Sequence, residues 1–103
     1  MTTALRVVRG LFFVLVLAPS LAGCVRHATA AECSALLDRY VELLVREQDP
    51  KASDDEIAKQ KGLTREKASH DASFASCPRE VTSRSLGCAM GSANVDEFEK
   101  CLE

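Results

Sequence analysis

The sequence of 103 residues contains no tryptophan, a single tyrosine and four phenylalanines, and its lysines and arginines form no cluster. Proteins that bind nucleic acids neutralise phosphates with grouped basic side chains, and many stack bases on aromatic rings. Here the basic cluster is missing, aromatic rings are few, and 15 acidic residues outnumber 13 basic ones. Nucleic-acid binding is therefore disfavoured.

The sequence also lacks the motifs of familiar catalytic and metal sites. It has no HExxH, no GxSxG, no glycine-rich phosphate loop and no EF-hand loop. No two cysteines form a CxxC pair, and His27 and His70 lie at no ligand-like spacing from a cysteine, which argues against a zinc site or a thiol redox site. We therefore expect a protein that is not an enzyme and that holds neither a metal nor a cofactor.

A long apolar run is missing as well. The apolar stretch near the N-terminus covers only residues 11–18, and Arg9 prevents its extension, whereas a transmembrane helix needs about 20 apolar residues. Arg6 and Arg9 precede the run, and Pro19 with several small residues follows it. This order of charge, apolar core and small residues is typical of a cleaved export signal.

The end of this signal carries the most specific motif in the chain. Leu21, Ala22 and Gly23 immediately precede Cys24, and this order resembles the lipobox of bacterial lipoproteins. The resemblance implies that residues 1–23 are removed and that Cys24 becomes the first residue, with a covalently attached lipid. An ordinary signal peptide that happens to contain a cysteine is the alternative.

A lipid on Cys24 would anchor the chain in a bilayer, because two or three acyl chains make release negligible. The lipoprotein resemblance therefore implies a location in the cell envelope. Val25 stands where an aspartate would favour retention in the inner membrane, so the periplasmic face of the outer membrane is preferred. We expect residues 24–31 to form a lipidated tether and residues 32–103 to form the folded domain.

Four cysteines remain after Cys24, namely Cys33, Cys77, Cys88 and Cys101. Their even number in an exported chain predicts two disulfides. Disulfides commonly stabilise small domains, whose hydrophobic cores are thin. Four cysteines allow three connectivities, so the helix arrangement has to choose among them.

The pattern of apolar residues predicts helices and no strands. A first helix over 32–48 has an apolar stripe and ends before Pro50, and a second starts after Ser53 and reaches about residue 76, with a break near Gly62. A third helix is expected over 78–90, and a short fourth one after Asn94. The predicted fold is an all-α, disulfide-linked bundle of three to four helices.

The order of these helices favours one disulfide pairing. If the first two helices fold back on each other, Cys33 meets Cys77, and if the last two do so, Cys88 meets Cys101. The alternative, Cys33 with Cys101 and Cys77 with Cys88, remains open at this stage.

The layout from Cys33 to Leu102 is similar to that of small helical four-cysteine modules in exported proteins of Gram-negative bacteria, a resemblance that implies a compact α-domain without catalytic residues. Together these features predict a membrane-anchored, non-enzymatic module whose partners are the lipid bilayer and another protein. The alternative is a carrier or inhibitor that binds a small ligand in a groove between helices.

Overall fold

The computed structural model describes residues 25–103, in which six helices follow one another along the chain. Their bounds are α1 (Ala30–Gln48), α2 (Asp54–Ala68), α3 (Ala72–Ala75), α4 (Cys77–Glu80), α5 (Ser83–Met90) and α6 (Val95–Leu102). Within this part of the chain, extended backbone pairs only at an isolated antiparallel bridge between His27 and Thr82. The predicted all-α, disulfide-linked bundle is confirmed, and it has six helices because the predicted second and third helices are each divided.

The helix α1 begins two residues earlier than predicted, because Thr29 and Glu32 form a capping box. The Thr29 hydroxyl accepts a hydrogen bond from the Glu32 amide at 3.1 Å, and the Glu32 carboxylate accepts one from the Thr29 amide at 3.2 Å. This bond from the Thr29 amide holds the pKa of Glu32 below its usual value, and Arg26 adds to the effect. The helix ends at Gln48, as the following Asp49 and Pro50 predict.

Part of the segment expected to be a tether is held against the domain. The Ala28 amide donates to the Val81 carbonyl at 2.8 Å, and the Ser83 amide donates to the Arg26 carbonyl at 2.9 Å. Ala28 is only 4% exposed and belongs to the hydrophobic core. Residues 26–28 of the expected tether are therefore bonded to the domain.

The helix α2 runs through Gly62 without the predicted break. Its start is the predicted one, because the Ser53 hydroxyl accepts from the Glu56 amide at 3.2 Å. A glycine costs a helix about 1 kcal/mol relative to alanine, which is too little to divide it when the neighbouring turns are held. The division comes instead after Ala68, where the Asp71 carboxylate accepts from the Ser73 amide and caps α3.

The predicted third helix is divided at Val81 and Thr82, whose backbones are extended. The Thr82 hydroxyl accepts from the Ser85 amide at 3.1 Å and caps α5. This break places Val81 and Thr82 alongside residues 26–28. The final helix, α6, is capped as predicted by Asn94, which accepts from the Glu97 amide at 2.9 Å.

The hydrophobic core gathers around α1, which packs against α2, α4, α5 and α6. Its buried members are Ala28, Cys33, Leu36, Leu43, Leu86, Ala89, Val95 and Phe98. Two disulfides reinforce it: Cys33 pairs with Cys77 and Cys88 pairs with Cys101, with Cα–Cα distances of 6.2 Å and 5.6 Å. This is the pairing favoured by the helix order. The described core and both disulfides lie between residues 28 and 101.

The helix α2 contributes a single buried side chain, that of Ile57. Ion pairs make up much of its remaining contact with α1: Arg65 forms a two-pronged pair with Asp38, and Lys61 lies 3.7 Å from Glu42. These pairs lie on either side of Gly62 and hold the turns that flank it. Such surface pairs are individually weak. Among the longer helices that pack against α1, α2 buries the fewest side chains, one compared with two each for α5 and α6.

Candidate functional site

The motif that defines the predicted lipidation site, Leu21, Ala22, Gly23 and Cys24, lies outside the described residues. The four cysteines of the predicted disulfides all lie inside them and are all paired. Within residues 25–103, no helix combines the length and apolar character that crossing a membrane requires. The same residues contain no group of three or more histidine, cysteine or acidic side chains suited to a metal ion.

The described domain has an open groove of about 480 Å³ between α1, α6 and the segment that contains α3 and α4. Its lining residues are Cys33, Leu36, Leu37, Tyr40, Ser73, Phe74, Cys77, Glu80, Val81, Phe98, Glu99, Leu102 and Glu103. We call this feature the α1–α6 groove. Its volume is in the range of pockets that hold small molecules or the anchoring side chains of a bound peptide.

The floor of the groove is apolar and rigidly held. Cys33, Leu36 and Phe98 are buried members of the core, and the Cys33–Cys77 disulfide ties α1 to the start of α4. On α1 the lining residues recur every three to four positions, so they share one helical face. The disulfide therefore fixes the separation of two groove walls that do not follow each other in sequence.

The walls are formed by side chains that are only half-buried, namely Leu37, Tyr40, Phe74 and Val81. At the mouth, Leu102 is 39% exposed and extends this apolar surface. These residues present an apolar surface that no described part of the chain covers. A contiguous exposed apolar patch commonly marks a site of interaction.

Tyr40 joins the apolar floor to the polar rim. Its ring packs against that of Phe98, with centroids 5.2 Å apart, and its hydroxyl donates to a Glu99 carboxylate oxygen at 3.2 Å. Burial raises the pKa of Tyr40 above its ordinary value, and the negative charges of Glu99 and Glu47 raise it further. The phenol therefore stays neutral and acts as a hydrogen-bond donor at neutral pH.

The rim of the groove carries charge of one sign only. Glu80, Glu99 and Glu103 are exposed at its edge, and the described lining residues include no lysine, arginine or histidine. The groove thus combines an apolar floor with an acidic rim. This arrangement favours a ligand that is apolar on one side and positively charged around it.

Other residues with chemical potential have local structural roles. The Asp71 carboxylate caps α3, while His70 is exposed in the turn after α2 and its Nε2 lies 3.7 Å from a Glu66 carboxylate oxygen. The neighbours His70 and Asp71 therefore have different partners. The acidic residues at 54–56 lie in the first turn of α2, where they complement the helix dipole. None of these groups faces the groove.

The lining residues of the groove were not predicted, because they come from three separate segments, at 33–40, 73–81 and 98–103. The sequence does contain signals for two helix starts near the groove. Thr29 and Glu32 match a capping box that sets the start of α1, and Thr82 stands three residues before Ser85, a spacing that allows an N-terminal cap. Phe74, Val81 and Leu102 became groove residues only through tertiary packing.

By its fold, the protein belongs to the class of small, all-α, disulfide-linked bundles. Comparison of the chain with protein-family models, with curated proteins and with solved structures found no match in any of the three. A function must therefore be inferred from the residues themselves.

Proposed function

We propose that the protein is a cell-envelope lipoprotein, anchored through an acylated Cys24, whose helical domain binds a protein partner in the α1–α6 groove. The anchoring half of this proposal is motivated by the lipobox and the short apolar signal that precedes it. The binding half is motivated by one observation, the open apolar groove with a disulfide-held floor. A tethered domain with an exposed apolar surface is suited to docking or envelope assembly.

The polar groups of the groove also favour binding over catalysis. The Tyr40 hydroxyl is already bonded to Glu99, and its raised pKa makes it a poor general base at neutral pH. The three rim carboxylates lie on exposed side chains, so they are solvated and do not form a desolvated catalytic group. Among the described lining residues, the other hydroxyl is that of Ser73, and no histidine lines the groove beside it.

The binding proposal is tested by site-specific photo-crosslinking in cells. A photoreactive amino acid replaces Leu102 at the mouth of the groove, and the same amino acid replaces Leu63 in a control chain. Leu63 is 51% exposed on α2 and lies outside the groove, so the two positions are matched in type and accessibility. We expect a discrete crosslinked protein from position 102 only. Equal crosslinking from both positions, or none from 102, would contradict the proposal.

The anchoring proposal is tested by metabolic labelling with radioactive palmitate. The Cys24→Ala variant should take up no label and should be recovered in the soluble fraction, because it offers no thiol for lipid attachment. The Cys88→Ala/Cys101→Ala variant is a control for loss of cysteines in general and should still be labelled. Continued labelling of the Cys24→Ala variant would disprove lipidation at this residue.

A second candidate function is the binding of a small apolar ligand, because about 480 Å³ is enough for one. Native mass spectrometry of the exported protein distinguishes the two. A bound small molecule in the absence of any protein crosslinked from position 102 would favour this carrier function over protein binding.

A further inference from the structure

The charge of the rim and the backbone of the walls together restrict what the α1–α6 groove accepts. Residues 25–103 contain all 15 acidic residues of the chain but only 11 of its 13 basic ones. The same excess of negative charge is found at the groove, where the described lining residues include three carboxylates and no basic side chain. Five basic residues elsewhere in the domain, Arg26, Arg39, Arg46, Lys61 and Arg65, are already paired with acidic side chains.

An acidic rim discriminates between classes of apolar ligand. A fatty acid or another anionic amphiphile would place its charged head beside Glu80, Glu99 or Glu103, where like charges repel. A ligand with positive charges at its edges would gain from the same carboxylates and would be steered towards them during association. The charge therefore favours a basic partner.

The walls also restrict the backbone conformation of a bound peptide. The groove is formed largely by α1, α3, α4 and α6, and the backbone groups in the interior of a helix are bonded within it. Among the lining residues, Val81 has an extended backbone, and both of its polar groups are used: its carbonyl accepts from Ala28, and its amide donates to Cys77. The described groove therefore offers no free strand edge for a peptide to extend. Strand addition is therefore disfavoured there, whereas a helix, whose backbone groups are bonded within it, can lie on such a surface.

From these features we infer that the α1–α6 groove binds an amphipathic helix of a partner protein, with aliphatic side chains on the apolar floor and lysine or arginine beside Glu80, Glu99 and Glu103. Leu37, Phe74 and Leu102 provide the apolar contact at the walls and mouth. This inference rests on the proposed protein-binding function and specifies the chemistry of the partner.

The test uses synthetic peptides and the domain from Val25 onward, which contains the complete described core. One peptide is helical with leucines on one face and lysines on the other. A second keeps the leucines and carries glutamates, and a third has the composition of the first in an order that destroys the apolar face. None contains tyrosine or tryptophan, so the fluorescence of Tyr40, the only tyrosine in the chain, reports binding in the groove. Calorimetry gives the dissociation constants.

We expect the leucine–lysine peptide to bind and the glutamate peptide to bind at least about tenfold more weakly, from three charge contacts of the size typical at exposed sites. The Glu80→Gln/Glu99→Gln/Glu103→Gln variant should lose most of this difference, and added salt should reduce it. Leu102→Asn should weaken binding, while the matched Leu63→Asn variant should not. Circular dichroism establishes that each variant is folded.

Each contrary outcome has a definite meaning. Equal affinity for the lysine and glutamate peptides, or for the ordered and scrambled lysine peptides, overturns the inference but leaves protein binding in place if crosslinking from position 102 succeeds. Tighter binding of laurate than of the leucine–lysine peptide overturns the inference in favour of the small-ligand function. Absence of both peptide binding and crosslinking from position 102 overturns the inference and the proposed binding function together.

Discussion

Removal of the Cys33–Cys77 disulfide should destabilise the domain more than removal of the Cys88–Cys101 disulfide. The first bond joins residues 44 positions apart and closes a loop that contains all of α2 and α3, whereas the second joins residues only 13 positions apart. A disulfide stabilises mainly by restricting the unfolded chain, so the first bond contributes about 4 kcal/mol and the second about 3 kcal/mol.

Burial widens this difference. Cys33 is only 2% exposed and belongs to the core, whereas Cys88 is exposed on α5. Replacement of buried sulfur atoms by alanine leaves a small cavity, which costs about 1 kcal/mol more. We therefore expect the Cys33→Ala/Cys77→Ala variant to lose about 5 kcal/mol of unfolding free energy and the Cys88→Ala/Cys101→Ala variant about 3 kcal/mol. The first loss is a large part of the 5 to 15 kcal/mol that is typical of small proteins.

Urea denaturation followed by far-ultraviolet circular dichroism measures both losses. With the usual dependence of about 1 to 3 kcal/mol per molar urea, the first variant should shift its midpoint by roughly 2 M or more, or should be unfolded without urea. Each double variant leaves the other disulfide intact, and titration of free thiols establishes this. A smaller loss for Cys33→Ala/Cys77→Ala than for Cys88→Ala/Cys101→Ala would refute the reasoning from loop length and burial.

Three further predictions concern single side chains. Tyr40 should form its phenolate only above pH 10, and because its folded-state pKa is raised, the stability it contributes should be lost as pH rises through that value; ultraviolet titration of this sole tyrosine and the Tyr40→Phe variant measure both effects. Arg65→Ala should destabilise the domain only slightly, and this loss should shrink as salt is added to urea denaturations, because the side chain is largely exposed. Glu32→Gln should destabilise the domain at neutral pH but not in acid. The pKa of Glu32 is lowered in the folded state, so the stability that its charge contributes is present above pH 4.5 and is lost as pH falls through the folded-state pKa. Thermal unfolding of both proteins across pH measures the difference. A constant difference at all pH values would contradict the role given to its charge.

Local signals in the sequence predicted a large part of the fold. Asp49 and Pro50 mark the end of α1 because a residue before proline avoids the helical region, and Ser53 and Asn94 mark helix starts because their side chains accept backbone hydrogen bonds. The disulfide pairing followed from the same boundaries, since antiparallel neighbours bring their distant ends together. These features depend on residues close in sequence, which is why they could be predicted.

Features that depend on contacts between distant residues were not predicted. Gly62 was expected to break α2, but ion pairs with α1 hold the turns on both sides of it. Val81 and Thr82 leave the helical conformation where the segment at 26–28 pairs with them, and no periodicity in the sequence indicates that pairing. The groove requires α1, α6 and the α3–α4 segment to meet, so its residues could be recognised only after the fold was known.

The hydrogen bond between the Arg26 carbonyl and the Ser83 amide has a consequence for where the domain can operate. If Cys24 carries lipid as proposed, only Val25 separates it from Arg26, whose carbonyl is bonded to the domain, and the span is about 7 Å. The headgroup layer on one side of a bilayer is of similar thickness, about 5 to 8 Å. The domain would have almost no reach away from the lipid surface. Any partner would therefore have to come to the membrane surface to meet it.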